Sequence, residues 1–247
     1  MDFTQTIWND NSYQAYIEYL KSLADDKYKE FNSKITPISN ESQIYGVRVP
    51  KMRDTAKLIA KGSFRAFLDY VDALDNKSLS HEEISIYGMV IGYAKLPFGE
   101  LCQRIRTYAS KVNNWACCDC PVSSFKEIKK YIEEYKIEIY RSLKSENPWE
   151  QRVGLIILLD YYLCDKENTE YALNEANSVK SDEYYVQMAQ AWLIATAFAK
   201  QRDLTKDYLT NNFSLGDAVL KMTVRKLRDS YRVTKEDKDW AASLLKK

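Results

Sequence analysis

Two stretches of the chain carry residue types that a purely structural role does not readily absorb. In Asn113-Asn114-Trp115-Ala116-Cys117-Cys118-Asp119-Cys120, Trp115 and Asp119 are four residues apart, so on a helix an indole and a carboxylate lie over the same patch. A carboxylate among Trp, Ala and Cys is out of place, which makes Asp119 a candidate for chemistry. The alternative is that it caps the following turn or pairs with a nearby arginine, and the residues alone favour that alternative, because buried carboxylates are usually structural partners. The second stretch is basic. Lys221, Arg225, Arg228 and Arg232 fall at i, i+4, i+7 and i+11, which places at least the first three along one helix face. Planar guanidinium groups grip phosphate oxygens in pairs, so phosphate contacts are a natural use of such a face. A solvated helix face is the competing reading. A weaker patch, Arg48, Lys51, Arg53, Lys57 and Lys61, accompanies the helix expected after Pro50.

Other chemistries find little support. His81 is the one histidine, and Ser80-His81-Glu82-Glu83 reads as the start of a helix with Ser80 and Glu83 as its capping box, so a solvated helix end is expected there. The five cysteines are odd in number, and Cys117, Cys118 and Cys120 are too crowded to supply several ligands to one tetrahedral ion; reduced structural thiols are expected, with no metal. No Gly-x-Gly-x-x-Gly and no Gly-Lys-Ser/Thr loop is present, so nucleotide-cradling folds lack their signature.

The elements that must position these residues are helices. Among 247 residues only 7 are Gly and 5 Pro, with 45% apolar, and Ser, Thr, Asn or Asp recurs just before apolar segments of period near 3.6. The spacing predicts a helix from Tyr13 to Leu23, a short one holding Tyr28 and Phe31, a loop through Pro37 and Gly46, and a helix from Pro50 to Lys61. After Gly62, Ser63 caps the next. Further helices are expected from Ser80 to Leu96, from Pro97 to Val112, in a short run after Asn113, from Phe125 to Leu143 and from Trp149 to Leu163. Three more follow: Tyr185 to Ala199, Leu215 to about Ser230, and a last one after Thr234. Twelve or thirteen helices in pairs of roughly 40 residues have the spacing of HEAT-type repeats. The expected fold is all-α, a right-handed helical solenoid of antiparallel helix pairs, with residues 1–247 as a single domain because no Pro/Gly/Ser-rich linker interrupts the series.

Lys and Arg total 36 against 35 Asp and Glu, a net charge of +1, so any nucleic-acid surface must be local rather than global. Between Lys221 and Lys238 seven basic residues meet three acidic ones, a surplus larger than that of the whole chain. The apolar stretches around Val153 to Leu159 and Met188 to Ala199 fall short of the roughly 18 residues a bilayer crossing needs, and Met1-Asp2 opens no basic-then-apolar leader. A cytoplasmic monomer with no membrane contact is expected.

Five motifs in order across nearly the whole length resemble the AlkD-type DNA alkylation repair proteins: Gly46-Val47-Arg48-Val49-Pro50-Lys51-Met52-Arg53, Asn114-Trp115-Ala116-Cys117-Cys118-Asp119, Trp149-Glu150-Gln151-Arg152-Val153, Tyr185-Val186-Gln187-Met188-Ala189-Gln190-Ala191-Trp192 and Arg225-Lys226-Leu227-Arg228-Asp229-Ser230. The resemblance implies a HEAT-like solenoid that holds alkylated duplex DNA on its concave face. It also implies a glycosylase that removes cationic N3- or N7-alkylated purines without metal or organic cofactor. Asp119 matches the catalytic carboxylate, Trp115 and Trp192 the two indoles that pack against the damaged nucleotide's backbone, and Arg152 the cleft arginine. Tyr28 matches an N-terminal tyrosine, and Lys221, Arg225, Arg228, Arg232 and Arg48 fall to DNA binding. Where family members continue the tryptophan helix with Leu-Arg-Glu, Trp192 is followed here by Leu193-Ile194-Ala195-Thr196. Some branches of the family bind DNA without excision, so a non-catalytic DNA-binding protein is the alternative, and a protein-interaction scaffold the third reading.

Overall fold

Side-chain oxygens govern where the elements begin. In the computed structural model, which describes residues 2–36 and 43–246, Asn9 caps α1 (Asp10–Ser22) and Asp25 caps α2 (Asp26–Ile35). Pro50 sits in the first turn of α3 (Val49–Lys61), Gly62 ends it, and α4 (Phe64–Asp72) follows from Ser63. Ser80 and Glu83 form the expected capping box of α5 (His81–Tyr93). Then come α6 (Phe98–Lys111) and α7 (Trp115–Val122), the latter capped by Asn114. The sequence continues through α8 (Lys136–Leu143), α9 (Pro148–Ile157), α10 (Lys166–Ser178), α11 (Tyr184–Lys200) and α12 (Arg202–Asp207). Last are α13 (Asp217–Asp229) and α14 (Lys235–Ser243), which Thr234 caps as the sequence predicts. The fold is all-α: among the described residues the fourteen helices are accompanied by no strand, only a single bridge between Ala24 and Val47. Pro37, in the expected loop before Gly46, lies outside the described residues.

The chain divides into two compact units, Met1–Tyr131 and Ile132–Lys247. In the first, α5 is the centre. Its residues from His81 to Ile91 are buried, and α3, α4, α6 and α7 all pack on it. Two glycines one turn apart allow the closest of these approaches. A Cβ on Gly88 would stand 2.5 Å from the Tyr108 ring and 2.7 Å from Pro121, and one on Gly92 would run into Ser124; only glycine leaves that space. An aromatic cluster of Phe3, Trp8, Tyr16 and Phe67 closes the N-terminal end, with Trp8 and Phe67 centroids 4.7 Å apart. In the second unit α11 has the same place, with α9 and α13 on it, α10 and α12 beside it, and α8 and α14 completing the pairs. Within each unit helices pack on their next-but-one neighbours, α3 on α5 and α5 on α7, then α9 on α11 and α11 on α13. Helical repeats bury their apolar faces in this way.

Three expectations are corrected. The single helix from Phe125 to Leu143 is broken into a 3₁₀ turn at Lys126–Lys130 and α8. Tyr131 leaves the helical region at φ −134° with its ring against Phe98, 4.7 Å between centroids. The Ile132 carbonyl accepts the Tyr162 hydroxyl at 2.7 Å. The helix expected from Leu215 starts at Asp217, because Gly216 takes φ +81°, a backbone open to glycine but not to a helical residue. The predicted solvated end at His81 is buried: its side chain is 3% exposed. No helix among the described residues is long and apolar enough to cross a membrane.

Candidate functional site

Helix α7 carries the candidate carboxylate, and its local chemistry explains its placement. Asn114, itself buried, accepts the N–H groups of Ala116 and Cys117 at 3.0 Å each, which fixes the first turn. Pro121 has no N–H to offer the Cys117 carbonyl four residues earlier. The Tyr108 hydroxyl from α6 supplies the donor instead, bonding to the Cys117 carbonyl and reaching that of Cys118 at 3.2 Å. Ala116, Cys117, Cys118, Pro121 and Val122 face inward, whereas Trp115, Asp119 and Cys120 remain half-buried. Burial pushes the Cys117 thiol up to about 12 and raises that of Cys120, with the Asp119 charge adding to both. These thiols are therefore protonated at neutral pH and unsuited to nucleophilic attack. All five cysteines are unpaired with one another, and the described residues hold no cluster that could ligate a metal.

Trp115 is anchored rather than loose: its indole N–H donates to the carbonyl of Ile35, the last residue of α2, at 3.0 Å. Towards the other end of α2 lies Tyr28, half-buried, with its phenol raised chiefly by burial, to which the Glu82 charge adds. The indole hydrogen bond docks the end of α2 on the first turn of α7, and Tyr28 is near enough to Cys120 to feel it electrostatically. The Arg48 guanidinium lies over the Tyr28 ring at 5.0 Å, and its Nε donates to Asp25 at 2.9 Å. Asp25 in turn accepts the Tyr28 N–H at 2.9 Å. The first unit thus brings Tyr28, Arg48, Trp115 and Asp119 into one neighbourhood, with Arg53 close enough to act electrostatically on Cys120.

Below this group lies a buried acidic corner that the sequence did not disclose. Glu82 accepts the backbone N–H groups of Tyr45, Gly46 and Val47 at 3.0, 2.7 and 3.1 Å. Glu83 accepts the hydroxyls of Tyr13 and Tyr45 at 2.7 and 3.0 Å. The segment before Arg48 therefore lies over the start of α5, and the His81 N–H donates to the Gln43 carbonyl at 2.9 Å. This cover removes His81 from solvent. Its Nδ1 has no hydrogen-bond partner, and burial pulls the imidazole below its usual range against the opposing pull of Glu82 and Asn114. These consecutive polar residues read as solvated because what covers them comes from 35 to 70 positions away: Glu82 and Glu83 accept from distant donors and the His81 N–H meets the Gln43 carbonyl.

In the second unit Arg152 of α9 is 3% exposed and donates through Nη1 to the Tyr185 carbonyl at 2.5 Å. Tyr185 itself stacks on Trp149 at 5.3 Å. Trp192 of α11 is 38% exposed, and the Lys226 ammonium sits 5.7 Å from its ring centroid, within cation–π range. Lys221, Arg225 and Arg228 are exposed along α13 as the spacing predicts, whereas Arg232 lies past the helix end in the turn before α14. The sequence reading assigned no role to Tyr108, and it placed Lys226 only in the basic run and the last of the five motifs, not beside Trp192. Pro121 four residues after Cys117 was the available signal for the first; nothing local marked the second.

The sequence profile of a family described as DNA alkylation repair enzyme matches residues 16–242. No individually curated protein matches the chain.

Proposed function

Because this chain belongs to the DNA alkylation repair enzyme family, we propose that it is a monofunctional DNA glycosylase that hydrolyses the N-glycosidic bond of cationic N3- or N7-alkylated purines in duplex DNA. An alkylated purine carries a positive ring. When its bond to C1′ breaks, the electron pair moves to the ring, the base leaves neutral, and the charge passes to the sugar as an oxocarbenium ion. No strong acid is needed for the leaving group. A fixed carboxylate can stabilise the sugar cation and orient the water that adds to C1′, taking or passing on its proton. The observation that carries this reading is the half-buried Asp119 one turn from Trp115 on a helix whose first turn is fixed by Asn114 and whose Cys117 and Cys118 carbonyls are held by Tyr108. Indole faces attract polarised C–H surfaces of the nucleotide, the part assigned to Trp115 and Trp192, and the exposed Lys221, Arg225 and Arg228 suit phosphates.

The test is release of 7-methylguanine from methylated duplex DNA. Wild type should release it, and Asp119→Asn should do so about 10²- to 10³-fold more slowly with DNA affinity kept. Equal release by both, or none by either, removes the glycosylase claim for that lesion. A second reading, binding without excision, is favoured by the burial of Arg152 against the Tyr185 carbonyl, which draws the guanidinium away from any phosphate. It requires tight binding by wild type with no base released.

A further inference from the structure

The Tyr231 side chain is fully exposed, at 104% of its reference area, and no role has been given to it. It sits in the turn between α13 and α14, and that turn is not slack. The Ser230 N–H bonds the carbonyls of Lys226 and Leu227 at 3.1 and 3.3 Å, and the Ser230 hydroxyl accepts the Arg232 N–H at 3.2 Å. Leu227 before it and Val233 after it are buried. The ring is therefore held out from an anchored turn, with only its own two side-chain torsions left to order.

Cationic residues lie on both sides of Tyr231 in the chain, Arg228 before and Arg232 after, with Asp229 as the acid among them. Ser230 and Arg232 line a groove of about 370 Å³ with Trp192 and Lys226. Arg228 and Asp229 line another, of about 500 Å³, with Lys221 and Arg225. A phosphate-bearing strand following these grooves would pass Tyr231 with its charges met on either flank. An aromatic ring among arginines and lysines is the arrangement that binds nucleic-acid strands by stacking and charge together. We infer that Tyr231 is a stacking platform for an unpaired base of a DNA strand whose phosphates lie on Arg228 and Arg232. The inference rests on the DNA-binding part of the proposed function and on none of its chemistry. An intact duplex keeps its bases stacked on one another, so the contact favours DNA with an unpaired or displaced base.

Fluorescence anisotropy of the full chain with labelled single-stranded, one-nucleotide-gapped and intact duplex DNA tests this. Tyr231→Ala should weaken binding to the first two on the order of tenfold, affect intact duplex less, and leave the salt dependence unchanged; Tyr231→Phe should bind like wild type. Arg228→Gln should instead flatten the salt dependence by about one unit of slope. Because the side chain touches no core, these variants keep the fold. Wild-type affinity of Tyr231→Ala for gapped and single-stranded DNA overturns the inference, as does an equal loss on all three substrates. A selective loss in Tyr231→Ala beside absent 7-methylguanine release would keep this contact and discard the glycosylase, and the opposite pair of results would do the reverse.

Discussion

At Pro121 the backbone lacks the amide hydrogen that would close the turn on Cys117, and a phenol from another helix replaces it. Such a repair gives a buried side chain leverage over a half-buried one, because any shift of the second turn of α7 moves Asp119. Tyr108→Phe keeps the ring and deletes the donor. It should lower stability by about 1–3 kcal/mol, the usual penalty for a buried carbonyl left unsatisfied, and reduce base release together with stability rather than DNA affinity. Chemical denaturation and the methylated-DNA assay check the two halves. His81 supplies a pH signature at the same scale. Its folded-state affinity for a proton is depressed by burial, so the unfolded chain binds the proton more readily. Its share of stability is complete above the free histidine value near 6.5 and is lost as pH falls below it. Melting temperature should decline from about pH 6.5 downwards, and His81→Gln should flatten that decline. An unchanged slope would show that other groups set it.

Helix α5 shows how an element can be decided by what it lacks. Gly88 and Gly92 lie one turn apart on the side that receives Tyr108, Pro121 and Ser124, so α6 and α7 come nearer than any side chain would allow. Gly92→Ala should destabilise by about 1–3 kcal/mol through overpacking, even though alanine favours a helix interior by about 1 kcal/mol over glycine. Thermal melts give the net sign. The helix starts were legible because capping is local: Ser80, Asn114 and Thr234 each bond an N–H two or three residues on. The break after Phe125 was not, since the pattern Phe125, Ile128, Tyr135, Ile139 suits one helix. What interrupts it is Tyr131 leaving for Phe98 and the Ile132 carbonyl taken by Tyr162, partners about 30 residues away in the chain.

At the scale of the whole molecule, charge is nearly balanced, with a net +1, while α13 presents Lys221, Arg225 and Arg228 to solvent. Affinity for DNA should then depend on that local face more than on overall charge. The triple change of these residues to Ala should flatten the dependence of log K on log salt by roughly two to three units and weaken binding at every salt concentration. Binding titrations at several ionic strengths read both. Unchanged affinity would favour the scaffold reading over DNA.

Helix content, most helix boundaries and the exposed face of α13 followed from the sequence because each depends on residues within one or two turns: a cap, a proline at a start, a period of 3.6. The Trp115–Asp119 register is of that kind too. Burial of His81, the phenol completing α7, the indole hydrogen bond to Ile35 and the ammonium over Trp192 were settled only by tertiary packing. In each of these the partner comes from another element, from nine residues away for the Tyr108 phenol to eighty for the Ile35 carbonyl, and no local pattern records which donor, carbonyl or ring will meet it.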